Sequence, residues 1–267
     1  MSGVYIGVDG KARKVKGAYI GIDGKARKIK KGYIGDENGV ARLCWVESGK
    51  KLSEYPVGST VYLNENGSPV EYLVVNKGLP SDMYDSSCDG VWLLRKDVYE
   101  IRVWDEGEKP YQNSNIHTYL NTDIFNLFDD NLKRVIKRVK IPYWNGLAKN
   151  GSLVSGANGL STSVFLLSTY EVGWETINNS YFTTDGTCLE YFTGTTTIDG
   201  KRIAYLNGVV ARWWLRSPYI GASATIQSVT ANGNYEAVRP NLSAGVRPTL
   251  ILPSDTLFDE ETNTFKG

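Results

Sequence analysis

The pattern of apolar and polar residues changes several times along this chain, and each change predicts a different kind of element. Apolar runs bounded by turn residues predict β-strands at residues 57–63, 70–75, 92–96, 99–103, 164–167 and 246–252. Pro248 suits the first residues or the edge of the last strand, because proline cannot donate a hydrogen bond to a sheet.

Helical spacing replaces this pattern in the middle of the chain. Ser114, Thr122 and Asp130 each precede apolar residues at helical intervals, so three short helices capped by these side chains are predicted. Residues 168–171 have the spacing of a capping box, which predicts a fourth helix starting there. Together with the strands, these helices indicate an α+β fold.

The remaining segments are rich in turn residues. Residues 144–162 are predicted to form a long surface loop. Residues 178–212 are predicted to form hairpins or loops, with turns at Asp185-Gly186, Asp199-Gly200 and Asn207-Gly208. Asn232-Gly233 predicts a hairpin because both residues tolerate positive φ. Pro218 restricts its own φ and the residue before it, so residues 216–218 are predicted to turn the chain.

An internal repeat occupies the N-terminus. Tyr5, Tyr19 and Tyr33 recur every 14 residues, and each begins a predicted strand, turn and second strand. Isolated two-stranded ribbons are only marginally stable. We therefore predict that residues 1–45 form β-hairpin repeats that assemble with the same segment of other copies, most favourably as a trimer. A flexible tether is the alternative.

These features divide the chain into four parts. Residues 46–56 are polar and are predicted to be a linker between the repeats and a globular domain. That domain is predicted to span residues 57–252 and to be followed by a polar tail at 253–267.

Charge and cysteine content add further limits. The formal net charge is +1, yet residues 1–51 carry 12 basic against 5 acidic residues. These charges alternate with apolar residues, so we expect solvated strand faces and no nucleic-acid partner. Cys88 and Cys188 are expected to be free thiols, like Cys44, although a Cys88–Cys188 bridge is possible. No segment has the apolar length of a signal peptide or a membrane span, so no membrane insertion is expected.

The sequence contains few candidate catalytic or metal-binding residues. His117 is the single histidine, and it lies in a predicted helix where a structural role is more common than a catalytic one. A histidine and three distant cysteines provide neither a zinc cluster nor a nucleophile triad. An Asp- or Asn-rich loop could hold calcium, but no spaced ligand pattern is present. We predict no catalytic residue, no metal and no cofactor.

The segment from 212 to 252 has the composition of a binding surface. Large residues at its two ends enclose a middle of small and polar residues, among which Tyr219, Ile220, Tyr235, Arg239 and Leu242 stand out. Tyrosine and arginine are enriched among residues that dominate binding energy. The alternative for Ile220 and Leu242 is a place in the core.

The ends of this segment carry a resemblance to a known family. Trp213-Trp214-Leu215-Arg216-Ser217-Pro218 and Gly245-Val246-Arg247-Pro248 resemble the signature of an uncharacterised domain family of gut bacteria and their phages. The resemblance implies a C-type-lectin-like fold, in the branch shared with formylglycine-generating enzyme. It extends from about residue 55 to 252, and the N-terminal repeats look like those that precede this domain in phage-encoded proteins.

Members of this group include variable proteins of diversity-generating retroelements, in which mutagenic reverse transcription rewrites such a segment. The resemblance implies variable, ligand-binding positions at Tyr219, Ile220, Ala222, Thr225, Gln227, Tyr235, Glu236, Arg239 and Leu242. The structural frame that it implies consists of Trp213, Trp214, Arg216, Pro218, Gly245, Arg247 and Pro248. Residues 213–252 contain no cysteine, so the catalytic cysteine pair of the related enzymes has no counterpart in this segment.

Together these observations predict a receptor-recognition protein and not an enzyme. The expected partner is a protein or glycan on a host-cell surface, and the expected location is the tail of a phage virion. A variable protein displayed on a bacterial surface is one alternative. An enzyme of the formylglycine-generating or carbohydrate-active type is the alternative from another class.

Overall fold

The computed structural model describes residues 49–266 except 148, 150, 176, 178, 179 and 223, together with the backbone of six strands before residue 47. The chain divides into two compact units, Met1–Lys50 and Lys51–Gly267.

The first unit contains three antiparallel hairpins. Its strands are β1 (Tyr5–Val8), β2 (Lys11–Lys14), β3 (Ala18–Ile22), β4 (Lys25–Ile29), β5 (Lys31–Gly35) and β6 (Ala41–Val46). Each odd-numbered strand pairs with the strand after it, as the repeat predicts. The predicted turn residues and Cys44's side chain lie outside the described part, and assembly of the repeats stays a prediction.

The second unit is built mainly from β-strands with a few short helices, in agreement with the predicted α+β class. The remaining strands are β7 (Lys50–Lys51), β8 (Thr60–Glu65), β9 (Ser68–Lys77), β10 (Val91–Arg95), β11 (Ile101–Val103), β12 (Val139–Ile141), β13 (Tyr143–Trp144), β14 (Leu153–Val154), β15 (Leu160–Thr162), β16 (Val164–Phe165), β17 (Ala204–Leu206), β18 (Val209–Ala211), β19 (Trp213–Pro218), β20 (Ile226–Val229), β21 (Tyr235–Val238), β22 (Ser243–Gly245), β23 (Thr249–Leu252) and β24 (Leu257–Phe258).

Two five-stranded sheets organise this unit. Sheet one has the order β16-β23-β10-β9-β8, and sheet two has the order β11-β22-β19-β20-β21. The closing strand β23 lies between β10 and β16, where all four of its residues are buried. Pro248 directly precedes it, so the missing N–H costs the sheet no hydrogen bond. Residues 101–103 do not extend the preceding strand, because β11 belongs to the other sheet.

Short helical segments cover the sheets. The two α-helices are α1 (Asn115–Tyr119) and α2 (Asp130–Val135), with π-helical turns at Leu120–Ile124 and Tyr170–Trp174. Single 3-10 turns occur at Leu52–Glu54, Ser86–Cys88, Tyr111–Asn113, Gly156–Asn158, Glu190–Phe192 and Gly200–Arg202.

Sequence patterns predicted helices at four of these segments, namely the two α-helices and the two π-helical turns. The Ser114 hydroxyl accepts from the His117 N–H at 3.3 Å, which confirms the first predicted cap. Asp129, and not Asp130, caps α2, with its carboxylate accepting from Leu132. Thr122 caps nothing, because its hydroxyl donates to the Thr118 carbonyl inside a continuous helical segment.

Both predicted boundaries of the globular domain are wrong. Leu52 and Tyr55 are buried in the core, so most of the expected linker at 46–56 belongs to the folded unit. The predicted tail at 253–267 is folded as well: Phe258 is buried, and its ring lies 6.0 Å from that of Phe265. Residues 52–53 donate backbone hydrogen bonds to carbonyls at 254 and 256, which joins the two segments.

Two further local predictions are corrected by the fold. Residues 144–162 are not one long loop, because they contain the β13–β14 pair and β15, which pairs with β12. Residues 216–218 do not turn the chain but complete β19, and Pro218 pairs with Ile226 at the end of that strand. By contrast, the predicted hairpins around 207–208 and 232–233 are confirmed by the β17–β18 and β20–β21 pairs.

Candidate functional site

The centre of sheet two is a strand with no exposed side. All six residues of β19 are buried, although successive side chains point to opposite faces. The indole N–H of Trp213 donates to the Arg202 carbonyl at 2.9 Å, and that of Trp214 donates to the Arg102 carbonyl at 2.9 Å. Protein therefore packs on both faces, and each indole has its polar group satisfied.

Arg216 joins β19 to three distant segments through a buried ion-pair cluster. Its guanidinium binds Glu171 in a bidentate manner at 2.5 and 2.7 Å, and it donates to the Asp185 carbonyl at 2.7 Å and the Leu166 carbonyl at 2.9 Å. Tyr84 donates its hydroxyl to the same Glu171 carboxylate at 2.8 Å. Burial alone would lower the pKa of Arg216, but Glu171 and Asp185 raise it, so the arginine stays cationic.

Asp185 occupies the weaker position in this cluster. Its Oδ1 accepts from Thr183 at 2.7 Å and Ser217 at 2.8 Å, whereas its Oδ2 has no hydrogen-bond partner and lies 3.8 Å from Arg216 Nε. Complete burial raises the pKa of this carboxyl, and Arg216 opposes that effect. The bond to Ser217 fixes the segment around Asp185, which lies before β17, onto β19. Ser217 also accepts from the Thr169 N–H.

The other end of the frame is fixed by backbone contacts. Arg247 donates to the carbonyls of Arg95 and Lys96 at 2.9 Å each, and its guanidinium carbon lies 4.8 Å from the centre of the Trp213 ring. Burial lowers the pKa of Arg247 to about 10, which leaves it cationic at neutral pH. A Cβ at Gly245 would lie 2.6 Å from Val98 and 2.7 Å from the Arg212 carbonyl, so only glycine fits. Pro248 is also buried.

Two connections leave sheet two at the same end. β19 ends at Pro218 and β20 begins at Ile226, which in turn lies opposite Val238 at the end of β21. Residues 219–225 therefore end, and residues 239–242 begin, at this end of the β20–β21 pair, and we call these connections the two loops. They contain six of the predicted binding residues: Tyr219, Ile220, Ala222, Thr225, Arg239 and Leu242.

Backbone hydrogen bonds hold the two loops in shape. The N–H of Tyr219 donates to the Thr225 carbonyl at 2.9 Å, and that of Leu242 donates to the Arg239 carbonyl at 3.0 Å. The side chains of Ala222, Arg239 and Leu242 are exposed, the last to 53%. These bonds do not depend on the side chains, so many different residues are compatible with the same loop shape.

The remaining predicted binding residues lie elsewhere. Tyr235 and Glu236 are at the other end of β21, roughly 10 Å along the strand at its usual rise per residue. They point to opposite faces: Tyr235 packs on Trp174 and Phe182, whereas Glu236 pairs with Arg212 at 2.9 Å. Both are half-buried and lie outside the two loops, although Phe182, on which Tyr235 packs, pairs with Tyr219.

Gln227 is wrong as a contact residue. Its side chain is completely buried in β20, and neither its amide oxygen nor its amide nitrogen has a hydrogen-bond partner. A polar side chain in a short strand is usually expected to face solvent, but all four residues of β20 are buried, so protein covers both faces of sheet two at this position.

A residue that the sequence did not single out lies beside the first loop. The ring of Tyr181 is 5.5 Å from that of Tyr219, its carbonyl accepts from the Ile220 N–H at 3.0 Å, and its side chain is 41% exposed. Lys149 lies over the same ring at 5.7 Å. Tyr181 comes from a loop of mixed polarity, so only tertiary structure identifies it as part of this surface.

The titratable groups considered for catalysis lie away from the two loops. His117 packs on the Tyr111 ring at 5.0 Å, and burial lowers its pKa to about 4, so it is neutral at physiological pH. Cys88 and Cys188 are free thiols, and burial raises the pKa of Cys88 to about 12. Within the described residues, no three His, Cys, Asp or Glu side chains are grouped as metal ligands. No described helix is long and apolar enough to cross a membrane.

Comparison with known proteins gives one match. A family model described as a domain of unknown function, DUF6273, matches residues 89–254, which is more than half of the chain. The matched region includes both ends of the frame and the two loops. No curated protein and no solved structure matches the chain.

Proposed function

We propose that this chain, which belongs to the DUF6273 family, is a ligand-recognition protein that presents the two loops on a rigid frame. The observation that carries the proposal is the contrast within one segment. Every side chain of β19 is buried, whereas Ala222, Arg239 and Leu242 in the adjoining loops are exposed. A surface whose side chains contribute little to folding is free to be selected for contacts with a partner.

The proposed recognition surface consists of the two loops and the adjacent ring of Tyr181. It combines an exposed leucine with a tyrosine pair and an exposed arginine, and the last two residue types are enriched among those that dominate binding energy. The partner in this proposal is a protein or glycan on the surface of a host cell.

In more detail, we propose that the second unit has a C-type-lectin-like fold. We also propose that a diversity-generating retroelement produces sequence variation in the two loops. The support is the frame signature at 213–218 and 245–248, with the loops located between its two parts. The proposed setting is the tail of a phage, where the hairpins of residues 1–45 assemble three copies. Several copies of one weak site would bind a cell surface by avidity.

Sequencing the 3′ end of this gene in sibling isolates tests the proposal. We expect substitutions in the codons for exposed or half-exposed residues within 219–225 and 239–242. They should fall at nucleotides that are adenine in a nearby template copy. Codons for Trp213, Arg216 and Arg247 should be constant, and so should the codon for the buried Gln227. Uniform loop codons among the isolates, or substitutions spread equally over the frame, would refute diversification at these loops.

A further inference from the structure

A second apolar surface lies at the opposite end of β19 and β20 from residues 219–225. The β17–β18 hairpin belongs to it, with Tyr205, Val209 and Val210 exposed to 43%, 68% and 46%. Ile101 of β11, exposed to 48%, lies on the same surface. These four residues are half of the exposed large apolar side chains in the described part of the chain, and such clustering is typical of interaction sites.

An open groove runs beside this hairpin. It has a volume of about 780 Å³ and is lined on its apolar side by Ile101, Leu206, Val209, Val210 and Ala244. Its other wall is the turn that connects β20 to β21. The strand β18 therefore forms one border of the groove.

The outer edge of β18 is available for pairing. The backbone N–H and carbonyl of Tyr205 in β17 point away from β18, since the carbonyl accepts from the Val98 N–H and the N–H donates to the Asp97 carboxylate. Val210 lies directly opposite Tyr205, so its own N–H and carbonyl point outward on the other side. In the described part of the chain, β17 is the only strand paired with β18.

The charge of this edge favours an identical partner. Residues 204–211 contain no charged side chain, so two copies of the hairpin can meet without like-charge repulsion. Arg212, the charged residue of the groove, already pairs with Glu236 at 2.9 Å. An uncharged, apolar strand edge is a ready template for another strand.

We propose that β18 pairs antiparallel with β18 of a second copy of this chain, about a two-fold axis at Val210. The N–H of each Val210 then donates to the carbonyl of the other, which gives two equivalent hydrogen bonds. Val209 in one copy lies opposite Ala211 of the second copy, so a large side chain meets a small one. The same pairing covers the apolar border of the groove. This contact is separate from any assembly through the N-terminal hairpins.

Sedimentation analysis of the full chain tests this contact. A strand of three residues and one groove wall form a small interface, so we expect reversible association at roughly tens of micromolar. Val209→Lys should place a charge at the contact and keep the mass at the value that wild type has at low concentration. Ile198→Lys is the matched control, because Ile198 is 54% exposed and does not line the groove, and it should leave the mass unchanged.

A second variant distinguishes loss of the contact from misfolding of Val209→Lys. Val210→Pro removes an N–H that points away from the hairpin, so the fold should persist while the mass again stays at its low-concentration value. Circular dichroism verifies that each variant is folded. The proposal is overturned if the wild-type mass does not rise with concentration, if neither folded β18 variant lowers it, or if Ile198→Lys lowers it equally. Assembly through the N-terminal hairpins is the same in all these proteins and does not alter the comparison.

Discussion

Replacing Arg216 with methionine is expected to lower the free energy of unfolding by about 3–5 kcal/mol, the usual cost of removing one partner from a buried ion pair. The change leaves the buried carboxylates of Glu171 and Asp185 without their cation, and it removes hydrogen bonds to three carbonyls. Equilibrium unfolding in urea, followed by tryptophan fluorescence, measures the effect.

Arg239→Met is the matched control for this prediction, because Arg239 is an exposed arginine in the same segment of the chain. It should change the unfolding free energy by no more than about 0.5 kcal/mol, as is usual for surface positions. Similar losses for the two variants would show that the buried cluster does not determine stability.

Replacing Trp213 with alanine is expected to cost about 3–5 kcal/mol, since the largest buried aromatic side chains cost this much when they are truncated. The ring is completely buried beneath the Arg247 guanidinium, and its N–H donates to the Arg202 carbonyl. Alanine would leave a cavity, an unpaired carbonyl and a buried arginine without its aromatic contact. The same urea titration measures the loss.

Trp213→Phe provides a graded comparison. Phenylalanine keeps much of the apolar contact but cannot donate to the Arg202 carbonyl. The free energy of unfolding of Trp213→Phe should therefore lie between those of wild type and Trp213→Ala. A loss below about 0.5 kcal/mol for Trp213→Ala would contradict the role of this residue in the frame, because surface substitutions have effects of that size.

Local sequence signals predicted much of the fold because their physical causes are local. The Ser114 cap, the Asn207-Gly208 turn and the hairpin repeat depend on residues a few positions apart, and the structure contains each corresponding element. The capping box at 168–171 is also present: Glu171 accepts from the Ser168 N–H at 2.8 Å, and the Ser168 hydroxyl accepts from the Glu171 N–H at 3.1 Å.

Contacts between distant residues explain the predictions that failed. Residues 216–218 are predicted to turn the chain because Pro218 restricts the backbone, yet Arg216 and Ser217 are buried against Glu171 and Asp185 within β19. The C-terminal tail reads as polar, although Phe258 and Phe265 anchor it to the fold. Neither contact has a signal in the neighbouring sequence.

The candidate surface was predictable only in part. The frame residues enclose residues 219–242, but the sequence does not reveal which side chains between them face solvent. The pairing of β20 with β21 separates Tyr235 and Glu236 from the two loops, and coverage of both sheet faces buries Gln227. The structure also adds Tyr181, whose position depends on its backbone contact with Ile220.

In the proposed function, the frame stabilises the fold and the two loops bind the partner. The most direct test is the binding of the fluorescently labelled full chain to intact cells from a panel of gut bacteria, measured by flow cytometry for wild type and two double variants. Arg239→Ala with Leu242→Ala alters the loops, and Arg134→Ala with Ile198→Ala removes an equally exposed arginine and aliphatic residue elsewhere.

Both double variants should retain the wild-type unfolding free energy within about 1 kcal/mol, because each replaces only surface side chains. The loop variant should bind cells at least about tenfold more weakly, as loss of a central contact typically causes, while the control should bind like wild type. A loop variant that is stable and binds the cells as tightly as wild type would show that the two loops do not recognise the partner.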